Sequence, residues 1–280
     1  AGKGGTTSAP FSSGQNNTAV GYGALTAFTT GNYNTAIGVS AADSLTVGNE
    51  NVAIGQEALT SATGTLSTVV IGMQAGYNIN STDANRTVFI GYCAGRSLTS
   101  GQGNVAIGSE ALRTEDDGDY NTAIGHQALK AQTGTSGDVS NTAVGYLAGT
   151  QITTGGANTA IGGSTLHNNL VGSENTTLGN LSGYSIIGSY TTAIGSQAAR
   201  FASGSSNTFV GRKAGYGGTT SAPFSSGENN VAIGYQALTA FTTGGSNVAI
   251  GTNAGNSLTS GASNIMIGNG VATTLTTGAS

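Results

Sequence analysis

A five-residue pattern (amide, β-branched, small, aliphatic, glycine) recurs along the whole chain. It stands at Asn17–Gly21, Asn34–Gly38, Asn51–Gly55, Asn104–Gly108, Asn121–Gly125, Asn141–Gly145, Asn158–Gly162, Asn230–Gly234 and Asn247–Gly251. Looser copies end at Gly72, Gly91, Gly179, Gly195, Gly211 and Gly268. The glycines are mostly 17 residues apart, and a fixed period of this length is the signature of a stacked repeat fold. With the Asn as position 1, position 2 is Thr or Val, apart from Ile265, and position 4 is Ile or Val, apart from Leu178. Residues of this shape favour a short strand. Strand alternation sets positions 2 and 4 on one face and position 3 on the other. Because position 4 is always aliphatic, the face carrying positions 2 and 4 is predicted to point inward and position 3 outward. The invariant Gly at position 5 predicts a corner with positive φ or close backbone approach. A frequent Gly at position 15, as at Gly31, Gly48, Gly101, Gly155, Gly244 and Gly261, predicts a second corner.

One such unit cannot bury its own apolar face, but stacked copies can. The predicted fold is therefore all-β: a parallel β-solenoid or β-roll of about fifteen turns. At ~4.8 Å per turn it makes a rod of roughly 70 Å. Stacking places the position-1 residues, Asn in twelve copies and Thr at Thr68, Thr87 and Thr191, in one column, where side-chain amides form a ladder. Position 9 switches between Leu and a small residue: Leu25, Leu59, Leu112, Leu129, Leu166 and Leu238 against Gly76, Gly95, Gly149, Gly183, Gly215, Gly255 and alanines.

A longer repeat overlies the short one. Gly4–Gly14 returns as Gly217–Gly227, an offset of 213 residues, so residues 1–67 correspond to 214–280 of a single repetitive segment. Insertions around Pro10 and Pro223, at Asn80–Asp83 and at Thr135–Asp138 are predicted loops, the usual seat of binding variation in solenoids. With no atypical capping repeat at either end, the segment is expected to belong to a longer chain.

Position 3 is Ala in ten copies and Val70, Phe89, Thr177, Phe209 or Met266 in the rest. Facing outward, it would form a long apolar stripe of the kind that marks an interface, so a homo-oligomer is expected. Composition removes other partners. Charged residues are 7% and the net charge is −4, with no basic run, which excludes nucleic acid. No apolar run approaches the ~20 residues of a spanning helix, so no membrane contact is expected in this segment. One cysteine excludes an internal disulfide, and two distant histidines give no zinc site.

Candidate chemistry is sparse. Thr114–Asp119 holds the only acidic cluster, and Asp116, Asp117 and Asp119 are weak Ca²⁺ candidates, the segment otherwise reading as a solvated loop. His126 and His167 fall at different positions of the turn and read as surface residues; Cys93 reads as an incidental thiol. No nucleophile–base set recurs, so neither catalysis nor a cofactor is expected. Tyr22, Tyr92, Tyr146 and Tyr235 at position 6, with Phe11 and Phe224 on the inserted loops, are candidate contacts for a host-surface glycan or protein. A Thr array for ice binding is disfavoured by the inward reading of position 2.

The unit Asn-Thr/Val-Ala-Ile-Gly-x-x-Ala, closest at Asn51–Gly55, Asn104–Gly108 and Asn230–Gly234, resembles the head repeats of trimeric autotransporter adhesins. It is also similar to viral tail-fibre repeats. The resemblance covers nearly the whole chain and implies a left-handed β-roll, three chains side by side, outside the cell. The period of 17 is longer than in those heads. The expected function is a structural and adhesive extracellular fibre segment on a cell or virion. The alternatives are a viral fibre, an end-to-end self-assembling filament or, least, an ice-binding solenoid.

Overall fold

The computed structural model describes residues 2–5, 12–82, 84–134, 137–219 and 224–278. It is an all-β parallel solenoid of about fourteen turns, with no helix among the described residues. Two compact units divide it, Ala1–Asn141 and Thr142–Ser280. In the first unit the stack runs through the three-residue strands Thr18–Val20, Thr35–Ile37, Val52–Ile54, Val69–Ile71, Val88–Ile90, Val105–Ile107 and Thr122–Ile124. In the second it runs through Thr142–Val144, Thr159–Ile161, Thr176–Leu178, Thr192–Ile194, Thr208–Val210, Val231–Ile233, Val248–Ile250 and Ile265–Ile267. Neighbours pair in parallel with like positions opposed, as in Val52↔Val69 and Ala160↔Thr177.

The two strand faces are the reverse of the sequence expectation. Position 3 is buried in nearly every turn, and positions 2 and 4 are half-buried or exposed. The Asn column explains this. Positions 1 and 3 share a face, and the Asn amides are consumed inside the stack. Asn34 Nδ2 donates to Gly48 O at 2.8 Å, while its Oδ1 accepts Asn51 N at 3.1 Å and Asn51 Nδ2 at 3.0 Å. In the second unit Asn230 Nδ2 donates to Gly244 O at 2.9 Å and its Oδ1 accepts Asn247 N at 3.0 Å. Buried amides are bonded in the great majority of cases, and here the neighbouring turn supplies the partners, Asn121 Nδ2 being an exception left without one. With Asn inside, the aliphatic residue three places on is turned out. The position-3 stripe is therefore core, not interface.

Three-residue strands suffice because turns are bonded around their whole contour. Gly55 N donates to Ile37 O at 2.8 Å, Ala42 N to Ala58 O at 2.9 Å and Thr46 N to Thr63 O at 2.9 Å. Such stacking needs a contour that bends sharply. Gly at position 5 sits at φ from 127° to 140°, and a Cβ on Gly108 would lie 2.5 Å from Gly125 O. The second corner works differently. Gly31 and Gly101 have ordinary φ, but a Cβ there would meet the next turn's carbonyl at 2.4 and 2.3 Å. Further bends use left-handed residues that are not glycine, at positions 7, 9 and 17 (Glu57 at 55°, Leu59 at 54°, Ser67 at 54°). The six glycines of position 9 announce it in that column, whereas positions 7 and 17 are mostly polar or aromatic residues that do not.

The interior is narrow and filled by volume exchange. Where position 3 is Ala, Leu commonly stands at position 9, as in Ala106 with Leu112 or Ala232 with Leu238, all fully buried. Where position 3 is Val70, Phe89, Thr177 or Phe209, position 9 is Gly, and Met266 stands with Ala272. A Cβ on Gly95 would lie 2.4 Å from the Phe89 ring, one on Gly215 2.3 Å from Phe209, and one on Gly183 2.6 Å from Thr177. Position 12 takes up the remaining space with Leu45, Ile79, Leu98, Ile152, Ile186, Phe241 or Leu258. Fixed total volume, not the identity of one column, is what close packing demands.

Candidate interaction surfaces

The turned-out strand face repeats in every turn of the stack. In the first unit it carries Thr18, Thr35, Val52, Val69, Val88, Val105 and Thr122 at position 2, with Val20, Ile37 and Ile107 exposed at position 4 (56, 37 and 36%). In the second it carries five successive threonines, Thr142, Thr159, Thr176, Thr192 and Thr208, then Val231, Val248 and Ile265, beside exposed Ile161, Leu178, Ile233 and Ile267. No charged residue occupies either column. Tyr22, Tyr92, Tyr146 and Tyr235 at position 6 border this face and are exposed, Tyr22 at 84%. Phe224 instead is half-buried, its ring stacked on Phe201 at 6.0 Å; Phe11 lies outside the described residues.

The acidic segment is not a free solvated loop. Glu115 stands at position 12, fully buried. Its Oε1 accepts Gly118 N at 2.8 Å and Asp116 N at 3.0 Å, and its Oε2 is buried without a partner. Burial raises its pKa, opposed by the backbone N–H groups of Gly118, Asp116 and Asp117. Gly118–Asp119 is a two-residue strand paired with Gly137–Asp138. Asp116 Oδ1 accepts Thr99 Oγ1 at 2.7 Å and Asp119 Oδ1 accepts Gln102 N at 2.8 Å, so both carboxylates cap neighbouring turns. Among the described residues no group of three or more His, Cys, Asp or Glu could hold a metal ion.

His126 is exposed, whereas His167 is half-buried and stacked on Tyr184 at 5.0 Å. Cys93 is buried beside Gln74. A second polar strip was missed by sequence reading. Glu110 Oε1 accepts Arg113 at 2.8 Å and its Oε2 accepts Lys130 at 2.7 Å and Gln127 at 2.8 Å. The Lys130 contact is the main cause of its lowered pKa. Arg96 lies over the Tyr77 ring at 5.3 Å. Tyr77, Arg96, Arg113 and Lys130 all fall at position 10, a regularity that aligning the turns would have exposed.

A cleft of about 340 Å³ opens in the first unit at the corner before the strands, lined by Asn32, Tyr33, Asn49, Glu50, Leu66 and Ser67. Its floor is a second amide ladder: Asn32 Oδ1 accepts Gln15 N at 2.7 Å, and Asn49 Oδ1 accepts Asn32 N at 2.8 Å. Glu50 Oε2 accepts Ser67 Oγ at 3.0 Å, and Tyr33 is 62% exposed.

No protein-family model matches the chain, and no curated protein or solved structure matches it. No helix among the described residues is long and apolar enough to cross a membrane.

Proposed function

We propose that this chain is a structural and adhesive segment of an extracellular fibre, on a cell or virion surface, without enzymatic activity. In this reading copies of it associate side by side, most simply three, as in the adhesin heads its repeats resemble. The observation that carries the reading is the uncharged outward face at positions 2 and 4, repeated in every turn. Eight strands of three residues present about 400 Å² in the second unit alone, and seven present about 350 Å² in the first. Each lies within the ~300–600 Å² range of the largest apolar patch on a typical monomer, a patch that is often functional. The period points to the occupant. A ladder of side chains ~4.8 Å apart is matched along its whole length by another ladder of the same period, that is, by a second copy.

Light scattering on the soluble segment at several concentrations tests this. A constant mass near three chains, lowered by Ile161→Lys together with Ile194→Lys, is the expected result. A single-chain mass would refute association through this face, and a mass rising without limit would replace the closed oligomer with an open filament. One observation favours a second reading. The outward column Thr142, Thr159, Thr176, Thr192 and Thr208 removes the premise that threonines at position 2 face the core. Such an array could order water for ice binding, but only on a single-chain species that keeps the face free, and thermal hysteresis measured on that species decides it.

A further inference from the structure

The cleft at Tyr33 has an internal control. Residues 1–31 and 214–244 are identical except at Lys3/Tyr216, Gln15/Glu228, Thr18/Val231, Val20/Ile233 and Gly23/Gln236. Beyond them the framework is kept: Asn34 and Asn247, Ala36 and Ala249, Gly38 and Gly251, Gly48 and Gly261, Asn51 and Asn264. The cleft residues are not kept. Asn32, Tyr33, Asn49 and Glu50 correspond to Gly245, Ser246, Ala262 and Ser263.

The backbone does not require the large residues. Tyr33 and Glu50 sit at φ 57° and 61°, and Ser246 and Ser263 at 59° and 60°. Left-handed φ is no more favourable for Tyr or Glu than for Ser. Nor does packing require them, since both side chains are exposed. What they add is a ring and a carboxylate where the duplicated turns carry Ser246 and Ser263.

We infer that this cleft binds a neutral saccharide. Its volume is at the lower end of ligand pockets, the size of one or two sugar rings. The exposed Tyr33 ring and Leu66 offer apolar surface to the C–H face of a pyranose, as amphipathic aromatics do at wet interfaces. Glu50 Oε1 accepts no hydrogen bond among the described residues and can receive sugar hydroxyls, a charge-assisted contact. No cation lines the cleft, so a sialylated, sulfated or phosphorylated ligand would bring an anion against Glu50. The inference rests on the adhesive part of the reading above, and not on which face joins the copies.

The full chain is applied to an array of neutral, sialylated and sulfated oligosaccharides, and the best neutral ligand is then titrated by calorimetry. The expected result is retention of a neutral glycan with millimolar affinity, weakened about tenfold or more by Tyr33→Ser and by Glu50→Ser. Both substitutions install the residue of the duplicated turn, so thermal unfolding is expected to stay unchanged. Absence of any neutral ligand, retention of acidic glycans only, or affinity untouched by both substitutions overturns the inference. A drop in oligomer mass with Tyr33→Ser and no glycan binding would make the cleft a contact between copies and overturn it equally. Glycan binding by a single-chain species would leave this site standing and sink only the oligomer.

Discussion

Replacing Asn230 by Ala tests the amide ladder where its geometry is complete. Asn230 Nδ2 donates to Gly244 O at 2.9 Å, and its Oδ1 accepts Asn247 N at 3.0 Å and Asn247 Nδ2 at 3.1 Å. All three residues are buried. Truncation strands a backbone N–H and a carbonyl away from water, and each stranded group costs about 1–3 kcal/mol. Asn247 Nδ2 keeps Gly261 O at 2.9 Å, so its loss is partial. The expected destabilisation is about 2–4 kcal/mol. Asn230→Thr is expected to be milder, because the chain already uses Thr in this column. Thr191 Oγ1 donates to Gly204 O at 3.4 Å and accepts Asn207 N at 3.5 Å, longer bonds that keep both roles. Asn230→Asp should be the worst of the three at neutral pH, since it keeps the acceptor but sets a buried anion against Gly244 O. Urea unfolding measures the global effect, and hydrogen exchange at the Asn247 amide measures the local one, which matters in a repeat array whose turns can open separately. If Ala costs less than about 0.5 kcal/mol, or if Asp equals Asn, the ladder does not hold the turns together and the account of the buried Asn column is wrong.

Three further outcomes follow from the packing. Gly108→Ala is expected to destabilise by about 3 kcal/mol or more, since φ of 135° is strained for any Cβ and the methyl would meet Gly125 O, and chemical denaturation reads it directly. Gly215→Leu alone should be severely destabilising, because its Cβ enters the Phe209 ring; with Phe209→Ala the turn becomes an Ala/Leu turn like Ala232/Leu238, and a double-mutant cycle should return a large favourable coupling. For Glu115 the folded pKa is raised, so the folded chain holds the proton that the unfolded chain has released, and stability falls as pH rises from its ordinary value through the raised one. Glu115→Gln keeps an Oε1 acceptor for Gly118 and Asp116, so it is expected to raise the melting temperature at neutral pH and flatten that dependence; an unchanged pH profile would refute the buried-carboxylate account.

The period, the strand positions and the glycine corners were readable because each is imposed by local geometry that repeats. The orientation of the strand was not, because alternation defines two faces without saying which is inside. Aliphatic character at position 4 was the wrong arbiter. The interior of a 17-residue turn has a fixed small volume, and the sequence already carried its signature: Phe89 and Phe209 at position 3 stand opposite Gly95 and Gly215, while Ala106 stands opposite Leu112. Columns that exchange volume must touch, so positions 3 and 9 face each other across the core. That correlation is stronger evidence of burial than the hydropathy of either column. Glu115 escaped notice for the same reason, since a carboxylate among aspartates reads as solvated until its register, position 12, is compared with Leu98 and Ile152 in other turns.

The orientation of the strand decides what the outer surface offers a partner. Alanines facing out would have allowed close approach but offered little area. Isoleucine, valine and threonine facing out offer area, lack charge and repeat in step with a copy of themselves. The interior needs none of these side chains, and water does not favour them. A chain with 7% charged residues turns this uncharged aliphatic column outward, exposed or half-buried, in every turn, and that is the ground for the association proposed above.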